Sequence, residues 1–157
     1  MRIYISYFYQ LRFFPKNAIA LSTAKYDPKW FHNWQGNDHV FVDKRGVING
    51  LRAEEFNCSE ETVNHLTEIG EMCHPGCYRE RPCKFMQLYE QELDRLDLDY
   101  VLKHFEIVAE KLKIDDPIFI LLVHESPTVL CAERPIIQKW FAKHGIDVQE
   151  WRRDFGV

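Results

Sequence analysis

The clearest pattern in the chain is Ile118–Val123, an unbroken apolar run held between Pro117 and His124. It is too short for a typical helix and has no polar side, so it predicts a central strand covered on both faces. Arg2–Tyr9, rich in Ile, Tyr and Phe, predicts an opening strand, and Ala18–Ser22 predicts a second after the break at Pro15. His39–Asp43 predicts a short third strand, closed by Lys44-Arg45-Gly46. With Gly36, Gly46 and Gly50 around it, Ala24–Phe56 reads as loop-rich.

Helical spacing then takes over. Val63, Leu66, Ile69 and Met72 recur on one side of a helix following Asn57, which precedes Glu60 as the first member of a capping pair would. A second helix, from about Lys84 to Leu96, turns Phe85, Leu88, Tyr89 and Leu93 inward. The third, opened by Asp99, carries Val101, Leu102, Phe105, Val108, Ala109 and Leu112. Pro135 suits the first turn of the last helix, where a missing N–H costs nothing. That helix buries Ile136, Ile137, Trp140 and Phe141, stops at Gly145 and leads into a final strand over Ile146–Trp151. Helices alternating with strands imply a mainly parallel sheet. The expected fold is α/β: a single three-layer domain over residues 1–157, with a mainly parallel central sheet, helices on both faces and a loop-rich, cysteine-containing insertion at 36–83.

Composition narrows the function classes. A chain of 157 residues buries a core without help from disulfides. With 20 basic and 24 acidic side chains the net charge is −4, so no overall basic field draws it to nucleic acid, and such a partner would need a local patch. No apolar run reaches the roughly 18 residues of a membrane span, and MRIYISYF lacks the features of a secretion signal. These predict a cytoplasmic protein with no membrane partner. The 5 cysteines, an odd number in that setting, argue against a disulfide framework and leave metal binding, catalysis or burial.

Three groups carry candidate chemistry. His124 and Glu125 emerge from the apolar strand with Cys131 a short loop away, at the strand-end and helix-start junction where open α/β folds place their sites. Imidazole and a helix N-terminus activate a thiol, and Glu125 is placed to accept a proton or anchor a hydroxyl. Alternation along a strand sends His124 and Glu125 to opposite faces, which makes Glu125 the stronger catalytic candidate. Buried Cys and a helix-capping Glu133 are the structural alternatives. The second group is Cys58, Cys73, Cys77 and Cys83, with His74 as a substitute. Thiols separated by Pro75 and Gly76 are suited to wrap a tetrahedral zinc ion, and a closed set of this kind would be structural; thiols packing a loop junction are the alternative. The third is a basic, aromatic stretch in which Lys25, Trp30, Asp43, Arg45 and Arg52 are candidate contacts to a phosphorylated or nucleotide-like ligand. Neither familiar glycine-rich phosphate loop is present.

The stretches ISYFYQLRFFPKNAIALSTAKYDPKWF, FMQLYEQELDRLD and ILLVHESPTVLCAERPIIQKWFAKHGIDV together resemble the family called domain of unknown function 488. They are similar to its opening strands and Pro-x-Trp-Phe turn, to the helix before its central crossover, and to its last strand, loop, helix and strand. They cover about two thirds of the chain, with Gly36–Cys83 resembling a subgroup insertion. That family closes on Cys-x-Glu at the strand end and Cys-His-Arg at the helix start. Glu125 and Cys131 match; Val123 replaces the first cysteine, Ala132-Glu133 replaces His-Arg, and Arg134 lies one position beyond the expected arginine. The resemblance implies the fold and adds Arg134 to the candidate ligand contacts, but no two-cysteine mechanism carries over.

Two functions follow as expectations. One is an enzyme or ligand-binding protein for a nucleotide-like or phosphorylated ligand, centred on Glu125. The alternative is a non-catalytic nucleic-acid or protein binding module with a structural zinc site.

Overall fold

The computed structural model describes residues 1–31, 41–42, 47–73 and 83–156. Its strands are β1 (Arg2–Tyr7), β2 (Ala18–Ser22), β3 (Phe41–Val42), β4 (Ile48–Arg52), β5 (Ile118–Val123) and β6 (Gln149–Glu150); its α-helices are α1 (Glu60–Glu68), α2 (Lys84–Leu93), α3 (Leu98–Leu112) and α4 (Glu133–Lys143). The six strands form one sheet in the order β3-β4-β2-β5-β1-β6. Every pairing is parallel except β3 with β4. β5 lies at the centre with all its residues buried, as its unbroken apolar run requires.

The direction in which the chain moves across the sheet explains its layers. From β1 to β2 and from β2 to β4 it steps towards one edge; from β4 to β5 and from β5 to β6 it steps towards the other. Crossovers of a single hand that reverse direction must pass over opposite faces. The side chains follow this rule. Ile3, Ile5, Ile19, Leu21, Phe119, Leu121 and Val123 point into a core shared with the α-helices, through residues such as Leu66, Tyr89, Phe105 and Trp140. Ala18, Ala20, Ile118, Ile120 and Leu122 alternate to the other face, beneath Phe8, Leu11, Phe14, Phe31 and Trp151. The fold is therefore a three-layer α/β arrangement with helices on both faces: α-helices on one, and a 3-10 helix over Phe8–Phe13 on the other. Within the α-helical layer, Trp140 and Phe141 of α4 meet the Phe56 ring at centroid distances of 5.5 and 5.7 Å. Truncating a buried Trp of this kind to Ala costs about 3–5 kcal/mol.

Five sequence expectations are corrected. The first strand stops at Tyr7, because Phe8, Leu11 and Phe14 recur every third residue and suit a 3-10 turn rather than an extended chain. Ile48–Arg52, read as loop, is a buried strand of the sheet. Ser59, not Asn57, caps α1 by accepting from the Thr62 N–H at 3.2 Å, and Asp97, not Asp99, caps α3. The last strand is confined to Gln149–Glu150. Of the predicted third strand, Phe41 and Val42 form β3 and His39, Val40 and Asp43 lie outside the described residues.

Candidate site in the carboxyl-edge crevice

In a sheet of this topology, crevices open at the carboxyl ends of adjacent strands whose connections leave to opposite faces. β2 and β5 are such a pair, and a cavity of about 460 Å³ lies there. The segment after β2 forms one wall. Thr23 is fixed to the end of β5, donating both its N–H (3.0 Å) and its hydroxyl (2.8 Å) to the Leu122 carbonyl. Arg52 then holds the following turn, donating to the carbonyls of Ala24 at 2.6 Å and Lys25 at 3.2 Å and pairing with Asp27 at 2.7 Å. Asp27 also accepts from the Ser22 hydroxyl. Lys25 and Tyr26 are thereby held at the crevice.

The segment after β5 forms the opposite wall, and alternation divides its side chains. His124 rests against the Phe8 ring, 5.0 Å between centroids, with Nε2 2.5 Å from the Tyr26 carbonyl. Glu125 turns to the α-helical side, within hydrogen-bonding reach of Glu133 in the first turn of α4. The Glu125 Oε2 atom is buried and meets no hydrogen-bond donor among the described residues. Burial, followed by the charge of Glu125, pushes the Glu133 carboxyl up to about 7. Ala132, between Cys131 and Glu133, is extended at φ −154 and ψ 164. Its neighbours consequently project to the same side, and both line the cavity.

The floor contains sulfur. Cys73, at the end of the segment following α1, Cys83, at the N-cap of α2, and Cys131 bring their Sγ atoms within 4.8 Å of one another. Cys73 and Cys131 are 3.8 Å apart, far beyond a disulfide bond length. Burial raises the Cys73 pKa, and hydrogen bonding to Cys83 and Cys131 raises it further. Burial also raises Cys58, partly offset by Lys25. Thiols shifted this way are weak nucleophiles at neutral pH, but three converging on one point form a donor set for a thiophilic metal. Two thiolates bound at about 2.3 Å to a tetrahedral zinc ion stand roughly 3.8 Å apart. The Cys73–Cys131 separation fits that geometry.

The predicted residues distribute unevenly around this crevice. Lys25, Cys58, Cys73, His124, Glu125 and Cys131 line it. Cys58 stands outside the three-thiol cluster, whose third member comes instead from Cys131. Arg52 serves the loop that bears Lys25. Trp30 packs edge-on against Phe8 at 6.0 Å and is not among the lining residues. Arg134 is buried, donates from Nε to Glu150 at 2.7 Å and lies over the Tyr7 ring. Asp43, Arg45, His74 and Cys77 lie outside the described residues.

Sequence reasoning missed Glu133 as the partner of Glu125. The usable signal was alternation: an extended residue before a helix sets Cys131 and Glu133 on one side. It also missed the apolar wall formed by Val63, Met72, Phe85 and Met86, because helical spacing alone does not separate a cavity-lining side chain from a core one. No helix among the described residues is long and apolar enough to cross a membrane. What the molecule presents is an α/β domain with a thiol cluster able to coordinate a metal beside a carboxyl-lined crevice, and comparison adds no relative to it: no family model, curated protein or solved structure matches the chain.

Proposed function

We propose that this protein is a binding module built around a structural zinc ion, held by the thiolates of Cys73, Cys83 and Cys131. The observation that carries this reading is the convergence of the three Sγ atoms within 4.8 Å. The ligands come from three separate places: the segment before residue 74, the start of α2, and the loop between β5 and α4. An ion there ties these pieces together and fixes one wall of the crevice, the role expected of a structural site. The raised Cys73 thiol is a poor nucleophile at neutral pH, which weighs against thiolate catalysis at that position. A cytoplasmic setting, which keeps the described cysteines reduced, accords with this reading. The likeness of Glu125 and Cys131 to the closing signature of domain of unknown function 488 belongs to the same proposal, as does the view of 36–83 as an insertion.

The second reading, an enzyme or ligand-binding protein for a phosphorylated or nucleotide-like ligand, draws on Lys25 in the crevice. Such a ligand would also bring its charge against Glu125 and Glu133, so the crevice favours it less.

Cobalt substitution tests the metal site directly. Co²⁺ in a sulfur-rich tetrahedral site develops intense visible bands and a near-ultraviolet thiolate-to-metal band. Both bands should appear on titrating the reduced protein and disappear on adding zinc. Octahedral, aquo-like spectra at saturation would rule the site out.

A further inference from the structure

The crevice has a charge and shape of its own, whatever its metal content. Glu125 and Glu133 bring two carboxyl groups together, and Oε2 of Glu125 is buried with no hydrogen-bond partner among the described residues. Buried polar atoms in folded proteins nearly always find a partner, so an unmatched carboxyl oxygen beside a cavity marks a place for a donor that the described residues do not supply. One part of the wall is apolar: Val63, Met72, Phe85, Met86 and Val129. At about 460 Å³ the space falls within the range of small-molecule sites, and it occupies the strand-end position where open α/β sheets bind ligands.

We infer that the crevice binds a flat organic cation of the amidinium or guanidinium class, its paired N–H groups on the carboxyls of Glu125 and Glu133 and its apolar body against Phe85 and Met86. Several observations select this chemistry. Adjacent carboxyls repel unless a shared proton or a positive charge lies between them, and where a cation takes that place a planar one with two parallel N–H donors matches carboxylate oxygens better than a spherical ammonium does. Lys25 is the one Lys or Arg side chain lining the cavity among the described residues, and its ammonium stands 5.7 Å from the centroid of the exposed Tyr26 ring. Among the described residues no Lys or Arg forms an ion pair with Glu125 or Glu133, and the buried Arg134 acts on Glu133 only through space. An apolar wall, finally, rewards a ligand with an aryl or alkyl body over a small, fully hydrated ion.

The inference does not rest on the zinc proposal, and its test is arranged to keep the two apart. The full-length protein, as purified under reducing conditions, is titrated calorimetrically with benzamidine, benzamide and benzoate, which share a shape and differ in charge. Benzamidine should bind at least about tenfold more tightly than neutral benzamide, the difference expected for charge-assisted hydrogen bonds, with benzoate weakest. The near-isosteric substitution Glu125→Gln should weaken benzamidine by about tenfold or more while leaving benzamide nearly unchanged. Binding of benzoate or benzamide as tight as that of benzamidine, or no benzamidine binding at all, overturns the inference. So does benzamidine binding that is indifferent to Glu125→Gln in a variant that melts like the parent. Should that variant fail to fold, the ranking of the three compounds on the unmodified protein decides alone. Metal content, measured on the same sample, is a separate result.

Discussion

Cys73 and Cys131 place their sulfur atoms 3.8 Å apart across 58 residues of chain. No local spacing rule brings these two together. Their approach depends on β5 ending beside β2 and on α4 folding back over the helices that follow β4. The fold makes the thiol cluster and the crevice from the same strand end, so the cluster and the pocket share a wall.

The pairing of Arg52 with Asp27 is the main support of the opposite wall. The Asp27 side chain has 0% exposure and the Arg52 side chain 12%. Removing one member of a buried pair leaves the other charge without compensation, which costs about 3–5 kcal/mol. Asp27→Ala is therefore expected to lower the urea midpoint sharply, and to weaken ligand binding by releasing Ala24, Lys25 and Tyr26. Lys25→Ala, which leaves the pair intact, is expected to change the unfolding free energy by less than about 0.5 kcal/mol.

Glu92 of α2 reaches across to the start of α1, accepting from the Ser59 N–H at 3.1 Å and the Thr62 hydroxyl at 2.8 Å, and from the Ser59 hydroxyl as well. Burial works against its ionisation, yet these hydrogen bonds outweigh it and hold the carboxyl below its ordinary value of 4.5. A carboxyl depressed on folding contributes stability that is present above its unfolded pKa and is lost as pH falls through the folded one. Glu92→Ala is expected to cost about 1–2 kcal/mol near neutral pH, in line with the loss of a helix cap. The difference from the parent should shrink below pH 4.5, and paired denaturation curves at neutral and acid pH measure it.

His104 on α3 behaves in the opposite sense. Its Nδ1 lies 3.0 Å from the Glu55 carboxylate, whose hydrogen bond raises the imidazole above its ordinary 6.5 despite partial burial. A base whose pKa rises on folding contributes stability that is fully present below the unfolded value and is lost as pH climbs through the folded one. Thermal melts of the parent and of His104→Gln are expected to differ most below pH 6.5 and to converge on the alkaline side. A constant difference across that range would show that the pair does not titrate with folding.

How far the sequence revealed this molecule depended on whether a signal was local. β5 was legible because its apolar run has sharp ends at Pro117 and His124. β4 was not: Asn49 and Gly50 interrupt Ile48–Arg52, and the strand carries an irregularity that breaks its alternation. Ile19 pairs with Ile48 but Leu21 pairs with Leu51, so β4 has one residue more than β2 between those pairs, and Gly50 takes φ 95 at that bulge. The cysteines divide the same way. Spacing grouped Cys58 with Cys73 and Cys83 because they are neighbours in sequence, whereas the third thiol of the cluster arrives from the far end of the fold. Glu125 was legible from its position at a buried strand end. Its partner Glu133 was hidden by a second sufficient explanation, since a carboxylate in the first turn of a helix already complements the helix dipole.

The most direct test of the account is zinc stoichiometry in protein purified under reducing, zinc-replete conditions, measured on the parent, Cys131→Ser and Cys58→Ser. The account predicts one tightly held zinc per chain in the parent and in Cys58→Ser, and its loss from Cys131→Ser with a lower melting temperature. Zinc absent from the parent, or retained equally by Cys131→Ser and lost from Cys58→Ser, would contradict it.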